Sequence, residues 1–211
     1  NFYKVPFQHI NTKIFKNDDS YNFKLELTQQ TLWIARKMTV DSHMLEDICY
    51  VSVGAVCHSD KPIKIPKSNF IFDQQNESWN LKPYIEWKNI EKWIINSHKY
   101  LSYEPKLFNQ GAWFIELFES EKIVNKGTCW RWQLEFVLDL SGLYTNHKVN
   151  NIVLYNSIAN VSNRQLNNYI SEEKIKNSNQ FTLKMLLGIL NSKITTWYFL
   201  TLMANGLDFY P

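Results

Sequence analysis

The sequence predicts a mixed α/β (α+β) domain with a twisted sheet of mostly short strands and one long C-terminal helix. Runs such as YNFKLELT (21–28) and KVNNIVLYN (148–156) alternate or concentrate apolar residues in the way that short strands do. The strongest helical signal extends from Phe181 to about Met203, where apolar residues recur every three or four positions. With only six glycines and six prolines, the chain does not have the composition of a linker or a low-complexity protein.

The segments before residue 80 carry weaker signals. QQTLWIARKM (29–38) is compatible with a strand or a short helix, and SHMLEDICYVSVGAV (42–56) predicts a turn and then a strand. Within the second segment, Gly54 marks a bulge or a sharp turn. KPIKIPKSNFIFD (61–73) has two prolines before an apolar stretch, which predicts a loop that leads into a strand.

The segment LKPYIEWKNIEKWII (81–95) is predicted to be helical, because its isoleucines and Trp93 can share one face and Pro83 suits a first turn. Four later segments are predicted, in order, as an extended stretch (99–105), a short helix or turn with a strand over 122–124, a strand (130–139) and a loop with a helical turn (162–174). Asn179 is predicted to cap the start of the long helix, and Asn205-Gly206 is predicted to end it.

Length and composition favour one globular domain without a membrane segment. The chain has 211 residues, 45% of them hydrophobic, and no shift in composition is strong enough to divide it. No apolar run reaches the roughly 20 residues that a membrane span needs. The window from Met185 to Met203 comes closest, but Lys193 interrupts it.

The cysteines and the first residue bear on the cellular context. Cys49, Cys57 and Cys129 form an odd set without CxxC spacing, which favours a reducing cytoplasm. The chain has no signal peptide and does not begin with Met, so we expect it to be a piece of a longer protein.

The charge distribution is more informative than the formal net charge of +3. Between Asp139 and Glu172 there is no acidic residue, and the same interval is rich in asparagine and contains cationic side chains. A surface with amide and cationic groups but no carboxylates suits a polyanion whose base edges are also read. This predicts binding to nucleic acid.

The candidate DNA-binding residues fall into two classes. Asparagine can pair with an adenine edge and lysine with a guanine edge, whereas a purely cationic run suits phosphates. The predicted base-reading segment is Asn146 to Asn151, with the side chains of Asn146, His147, Lys148 and Asn150. The cations predicted to contact phosphates or fix the register are Lys61, Lys64, Lys67, Lys126, Arg131 and Arg164. The alternative for the lysine run at 61–67 is an ordinary solvated loop.

Catalytic chemistry has weak support in this sequence. The chain contains no Pro-Pro pair and no glycine-rich phosphate-binding or cofactor-binding loop. A metal-dependent nuclease is an open alternative, since Asp73 with 86–88, or Asp139 with 172–174, loosely fits an Asp…Glu-x-Lys pattern. A zinc site formed by nearby cysteines and histidines between residues 43 and 58 is a further alternative.

Three stretches resemble one known family when their order and spacing are taken together: LEDICYVSVGAV (45–56), LKPYIEWKNIEKWII (81–95), and LYTNHKVNNIVL (143–154) followed by LLGILNSKITTWYFL (186–200). They resemble the TaqI-like target-recognition, or specificity, domain of adenine-N6 DNA methyltransferases and of type IIG (Eco57I-like) restriction-modification enzymes. An arginine that this family often has near EKIV is absent here; only Lys122 and Lys126 are available there, with Arg131 later.

The resemblance implies a division into a lead-in segment (1–44) and a DNA target-recognition domain (45–211). It implies double-stranded DNA as a partner, and a methyltransferase catalytic domain in the same or a partner chain. The parent protein would use S-adenosylmethionine, and Mg²⁺ if an endonuclease is fused to it, while this chain would hold no cofactor and no catalytic residue. A module that only clamps the catalytic domain is the remaining alternative.

Overall fold

The computed structural model describes residues 29–57, 65–77, 79–108, 114–127, 134–163 and 166–200. The predicted strand at 21–28 and the predicted helix end at Asn205-Gly206 lie outside these ranges. No helix in the described ranges is long and apolar enough to cross a membrane.

Short strands dominate the fold, as the sequence predicts. The strands in the described ranges are β1 (Cys49–Val53), β2 (Ile71–Phe72), β3 (Leu81–Ile85), β4 (Ile90–Glu91), β5 (Ile94–Ile95), β6 (Lys99–Ser102), β7 (Lys122–Lys126), β8 (Phe136–Asp139), β9 (Tyr144–Thr145) and β10 (Val149–Leu154). The α-helices are α1 (Gln29–Thr39), α2 (Glu116–Glu119), α3 (Glu172–Ser178), α4 (Leu183–Leu190) and α5 (Lys193–Tyr198). Single 3-10 turns cover Leu45–Asp47, Lys67–Asn69, Trp87–Asn89, Pro105–Leu107, Tyr155–Ser157 and Leu166–Asn168.

The first sheet has the strand order β1-β10-β7-β8, and all neighbouring strands are antiparallel. β10 lies between β1 and β7, and all six of its residues are buried. Its alternating side chains enter different core clusters, with Ile152 on one face of the sheet and Val153 on the other. The strand is covered on both faces, which explains why Ile152, Val153 and Leu154 are apolar at consecutive positions.

The second sheet has the order β2-β6-β3-β9, in which β3 is antiparallel to β6 and parallel to β9. The connection from β3 to β6 forms a small hairpin of β4 and β5. In its turn, Trp93 has a φ of 73°, a conformation that bulky residues rarely adopt. The Trp93 N–H donates to the Phe136 carbonyl at 3.3 Å, which ties the hairpin to the first sheet.

The described elements form three layers, with core clusters on both faces of the first sheet. On one face of the first sheet, Leu183 and Leu186 of α4 pack with Ile152 and its neighbours. On the opposite face, Val153 packs with Tyr84 and residues of the second sheet. The first sheet is therefore the middle layer, between the C-terminal helices and the second sheet.

The two sheets join at a corner between β9 and β10. The Ala55 N–H donates to the Thr145 carbonyl at 2.8 Å, and the Gly54 N–H donates to the Val149 carbonyl at 3.0 Å. A Cβ placed on Gly54 would lie 2.1 Å from the Thr145 carbonyl oxygen, so only glycine allows the two backbones to approach this closely. Gly54 therefore marks a close backbone approach at the end of β1, not a bulge.

Several strand predictions are confirmed. The structure has strands at β1, β6, β7 and β10, and a strand over part of 130–139, where the sequence predicts extended structure. The ambiguous segment 29–38 is helical, as α1.

The helix predicted for 81–95 is wrong, because the segment forms β3, a 3-10 turn and the β4–β5 hairpin. Pro83 is tolerated in β3, since the pairing with β9 covers only Tyr84 and Ile85.

The C-terminal helix is confirmed as helical but is not continuous. It breaks at Asn191, whose buried side chain donates to the Phe136 carbonyl at 2.8 Å and accepts from the Phe136 N–H at 3.1 Å. Ser192 then caps α5 by accepting from the Thr195 N–H at 3.1 Å. A side chain that bonds to a neighbouring strand and a new N-cap one residue later interrupt the helix.

The predicted cap for the C-terminal helix is wrong. Asn179 ends α3, whereas the Thr182 hydroxyl caps α4 by accepting from the Met185 N–H at 3.2 Å. The two residues are close in sequence, and both are residue types that favour caps.

A fully buried ion pair fixes the edge of the first sheet. The Lys122 Nζ lies 2.5 Å from the Asp139 carboxylate, and both side chains are completely inaccessible. The ammonium also donates to the Phe118 carbonyl, and the carboxylate accepts from the N–H groups of Ser141 and Leu143 at 2.9 and 2.8 Å. This network connects β7, β8 and the turn that leads into β9.

We expect Asp139→Asn to lower the free energy of unfolding by about 3–5 kcal/mol, because it leaves the Lys122 ammonium buried without a counter-charge. Urea denaturation followed by circular dichroism measures this change. The double variant Lys122→Met/Asp139→Asn removes both charges and keeps an acceptor for Ser141 but not for Leu143, so it should recover part of the loss. The exposed pair of Asp73 and Lys99 provides a control, and Asp73→Asn should leave the free energy of unfolding nearly unchanged. A double variant no more stable than Asp139→Asn would contradict this account.

We expect Gly54→Ala to destabilise the protein by about 1–3 kcal/mol or more, because its methyl group would overlap the Thr145 carbonyl. The matched control is Gly188→Ala in α4, where an added Cβ meets no atom within 4 Å. That substitution should stabilise the helix by about 0.5–1 kcal/mol. Equal unfolding free energies for Gly54→Ala and the unchanged chain would show that the corner tolerates a side chain.

Candidate nucleic-acid interface

The turn from β9 to β10 exposes two side chains of the predicted reading segment. The Val149 N–H donates to the Asn146 carbonyl at 3.0 Å, which closes a four-residue turn with His147 and Lys148 at its tip. Asn146 is buried, and its side-chain oxygen accepts from the Lys148 N–H at 3.1 Å. Asparagine side chains commonly stabilise turns in this way. His147 and Lys148 are exposed to solvent.

Four lysines from separate segments lie close together on this side of the molecule. Lys67 belongs to the turn before β2, Lys88 to the turn after β3, Lys99 to the start of β6 and Lys148 to the β9–β10 turn. Lys88, Lys99 and Lys148 all act electrostatically on Lys67. We call these four residues the lysine cluster.

Two carboxylates partly neutralise the lysine cluster. Glu86 is buried beneath it and forms ion pairs with Lys67 and, at 3.0 Å, with Lys88. Asp73 lies 2.6 Å from the Lys99 Nζ and is largely exposed. Among the described residues Lys148 has no ion-pair partner. The four lysines and two carboxylates leave two positive charges on this surface.

The electrostatics of the cluster favour an added anion. Burial lowers the pKa of the Lys67 ammonium, and the positive charges of Lys88, Lys99 and Lys148 lower it further. The hydrogen bond from Lys99 lowers the pKa of Asp73. The repulsion among the four cations is not fully offset by the two carboxylates, so a bound phosphate would relieve it.

The remaining residues of the predicted reading segment are buried. Asn150, the second residue of β10, is 1% exposed and lies opposite Asn125 of β7. Asn151 is fully buried and donates to Thr145 at 2.8 Å and to the Ser52 carbonyl at 3.3 Å. Burial between two packed layers is a physical reason against base contacts by Asn146, Asn150 and Asn151.

The predicted register cations have different environments. Lys126 is mostly buried and forms an ion pair with Glu135, so it is less accessible than the lysine cluster. Lys67 belongs to the lysine cluster. Lys61, Lys64, Arg131 and Arg164 lie outside the described residues.

Sequence reasoning missed Lys88 and Lys99. Lys88 falls in the segment predicted to be helical, and only the pairing of β3 with β6 brings Tyr84 opposite Lys99. If residues 81–85 had been predicted as a strand, Lys88 would have been placed in the turn that follows it. No local pattern identifies Lys99, because its position depends on long-range strand pairing.

The alternative metal chemistry has no geometric support in the described residues. Burial raises the pKa of Cys49 to about 12 and that of Cys57 to about 11, and the two thiols pack in different core clusters. Of the carboxylates in the nuclease pattern, Asp139 is bound to Lys122, and Asp73 and Glu86 are each bound to lysines. Among the described residues, no three His, Cys, Asp or Glu side chains are grouped so that they could hold a metal ion.

Comparison with known protein families agrees with the resemblance noted in the sequence. The model of the TaqI-like C-terminal specificity domain matches residues 82–211, more than half of the chain. No curated protein matches the chain. The match includes all but the first residue of β3, the β9–β10 turn, and both C-terminal helices, so it covers Lys88, Lys99 and Lys148. The chain therefore belongs to the TaqI-like C-terminal specificity domain family.

Proposed function

We propose that the chain is the DNA target-recognition domain of an adenine-N6 DNA methyltransferase from a restriction-modification system, and that the lysine cluster binds the phosphate backbone. The observation that carries this proposal is the convergence of three lysines from separate segments on Lys67. Their mutual repulsion favours an anionic ligand, and duplex DNA presents closely spaced phosphates. Membership of the specificity-domain family supports the same partner.

The lysine cluster suits contacts that position DNA without reading its sequence. Lysine is a compact cation on a flexible stem, and it binds phosphate as a point charge. Contacts of this kind fix the register and orientation of a protein on the duplex. Since Glu86 and Asp73 neutralise part of the charge, we expect this domain alone to bind modestly and with a strong dependence on salt.

The proposed chemistry of methyl transfer belongs to a separate catalytic domain. That domain would hold S-adenosylmethionine and the flipped adenine, while this chain orients the duplex against it. We propose the cytoplasm as the location, which the buried free thiols of Cys49 and Cys57 support.

The exposed apolar face of α4 supports contact with such a catalytic domain. Met185 and Ile189 lie one turn apart on the helix, and about half of each side chain is exposed. This face belongs to the helical layer, whereas the lysine cluster is associated with the second sheet and the β9–β10 turn. If the chain only clamps the catalytic domain, as the alternative function holds, it would use this face of α4 and would not bind DNA.

We expect the chain to bind duplex DNA with an affinity that falls with salt. The two positive charges that the carboxylates leave on the lysine cluster give a slope of log affinity against log salt of about −1.8. Lys148→Ala should weaken binding about equally for all sequences and make the slope shallower by about one unit. Fluorescence anisotropy with labelled duplexes over a salt series measures both quantities.

The matched control for Lys148→Ala is Lys184→Ala, since Lys184 is exposed on the helical layer. That variant should keep the full slope. Binding that does not change with salt, or equal slopes for the two variants, would contradict the phosphate-binding role. Incubation with Mg²⁺ tests the nuclease alternative, which cleavage of the duplex would favour.

A further inference from the structure

A loop next to the lysine cluster has the chemistry that a base-reading element needs. The loop connects β2 to β3, and the structure describes its residues 73–77 and 79–80. β2 and β3 both run antiparallel to β6, which lies between them, so the loop must pass from one end of β6 to the other. The loop precedes the range matched by the family model, so family membership gives no information about its role.

Contacts at Asp73 and at Trp79 hold the two ends of the exposed part of this loop. Asp73 binds Lys99 of the lysine cluster at 2.6 Å, which fixes the first residue. The Trp79 N–H donates to the Asn76 carbonyl at 3.0 Å, and the Trp79 ring contacts the Phe72 ring edge-on with their centres 5.0 Å apart. Such anchors reduce the entropy that a loop loses when it binds.

Two glutamines lie between these anchors. Gln74 and Gln75 are exposed, and neither side-chain amide has a hydrogen-bond partner within the described residues. Both line an open groove of about 640 Å³ that is bounded by the loop and Trp79. A free amide of this kind can donate to and accept from adenine in the major groove at the same time.

The charges in the loop favour contacts with bases over contacts with phosphates. Asp73 and Glu77 flank the two glutamines, and both carboxylates are exposed. Carboxylates repel phosphates but can accept from the cytosine amino group. The lysine cluster, bound to the loop through Lys99, supplies the backbone contacts that would bring the loop to the groove.

We propose that Gln74 and Gln75 read base edges of duplex DNA and determine part of the sequence specificity of this domain. The inference rests on the proposed DNA-binding function. It assigns the reading role to amides that are exposed beside the lysine cluster, whereas the amides of Asn146, Asn150 and Asn151 are buried in the fold.

Selection from a randomised duplex library with the whole 211-residue chain tests the proposal. The unchanged chain should enrich a preferred site that includes adenine. Gln74→Ala and Gln75→Ala should each lose roughly 5- to 150-fold of discrimination at one base position, the range that corresponds to one bidentate contact. The salt slope should stay unchanged, because neither residue contacts phosphate.

Two further variants sharpen the test. Gln75→Glu replaces a donor with an acceptor, so it should move the preference at its position from adenine toward cytosine. Gln180→Ala, at an exposed position after α3, is the matched control and should keep the preferred site. Thermal melting of each variant checks that the fold is intact.

The outcomes distinguish the two proposals. If the unchanged chain selects a site and both glutamine variants select the same site equally well, the reading role is wrong while DNA binding stands. Salt-dependent binding without any sequence preference also overturns the reading role and leaves the phosphate contacts in place. If the chain shows no salt-dependent binding, the proposed function fails and this inference fails with it.

Discussion

The arrangement of the molecule depends on the close backbone contact at the corner between β9 and β10. Gly54 lies against the Thr145 carbonyl and donates its N–H to the Val149 carbonyl of β10, and the Ala55 N–H donates to the Thr145 carbonyl of β9. Asn151 adds side-chain bonds to Thr145 and to the Ser52 carbonyl, so β1, β9 and β10 are fixed to one another. A side chain at Gly54 would separate the sheets, and the surface that they form together would be lost.

This corner explains which residues are available to a ligand. Asn146 and Asn151 stabilise the turn and the strands from within, and their burial leaves His147 and Lys148 at the turn tip. The same junction places Lys148 near Lys67, since the Asn146 N–H donates to the Ile85 carbonyl directly before Glu86. Within residues 146–151, the asparagines therefore stabilise the fold, and Lys148 is exposed on the surface.

The sequence was sufficient for the fold class and most strands, because period-two patterns and apolar runs reflect local burial directly. It failed at 81–95, where isoleucines that pack against another sheet happen to match a helical spacing. It also failed at Asn191, whose hydrogen bonds to Phe136 join residues 55 positions apart. For the proposed site, the acid-free interval pointed to the β9–β10 turn, where Lys148 is exposed, but the lysine cluster depends on strand pairing that no local pattern shows.

Lysine footprinting tests the central claim most directly. The chain is treated with an amine-reactive reagent with and without duplex DNA at low salt, and mass spectrometry measures the modification of each lysine. We predict that DNA protects Lys67, Lys88, Lys99 and Lys148, and that Lys176, Lys184 and Lys193 on the helical layer react equally in both conditions. Protection of the helical lysines, with the lysine cluster unchanged, would contradict the proposed interface.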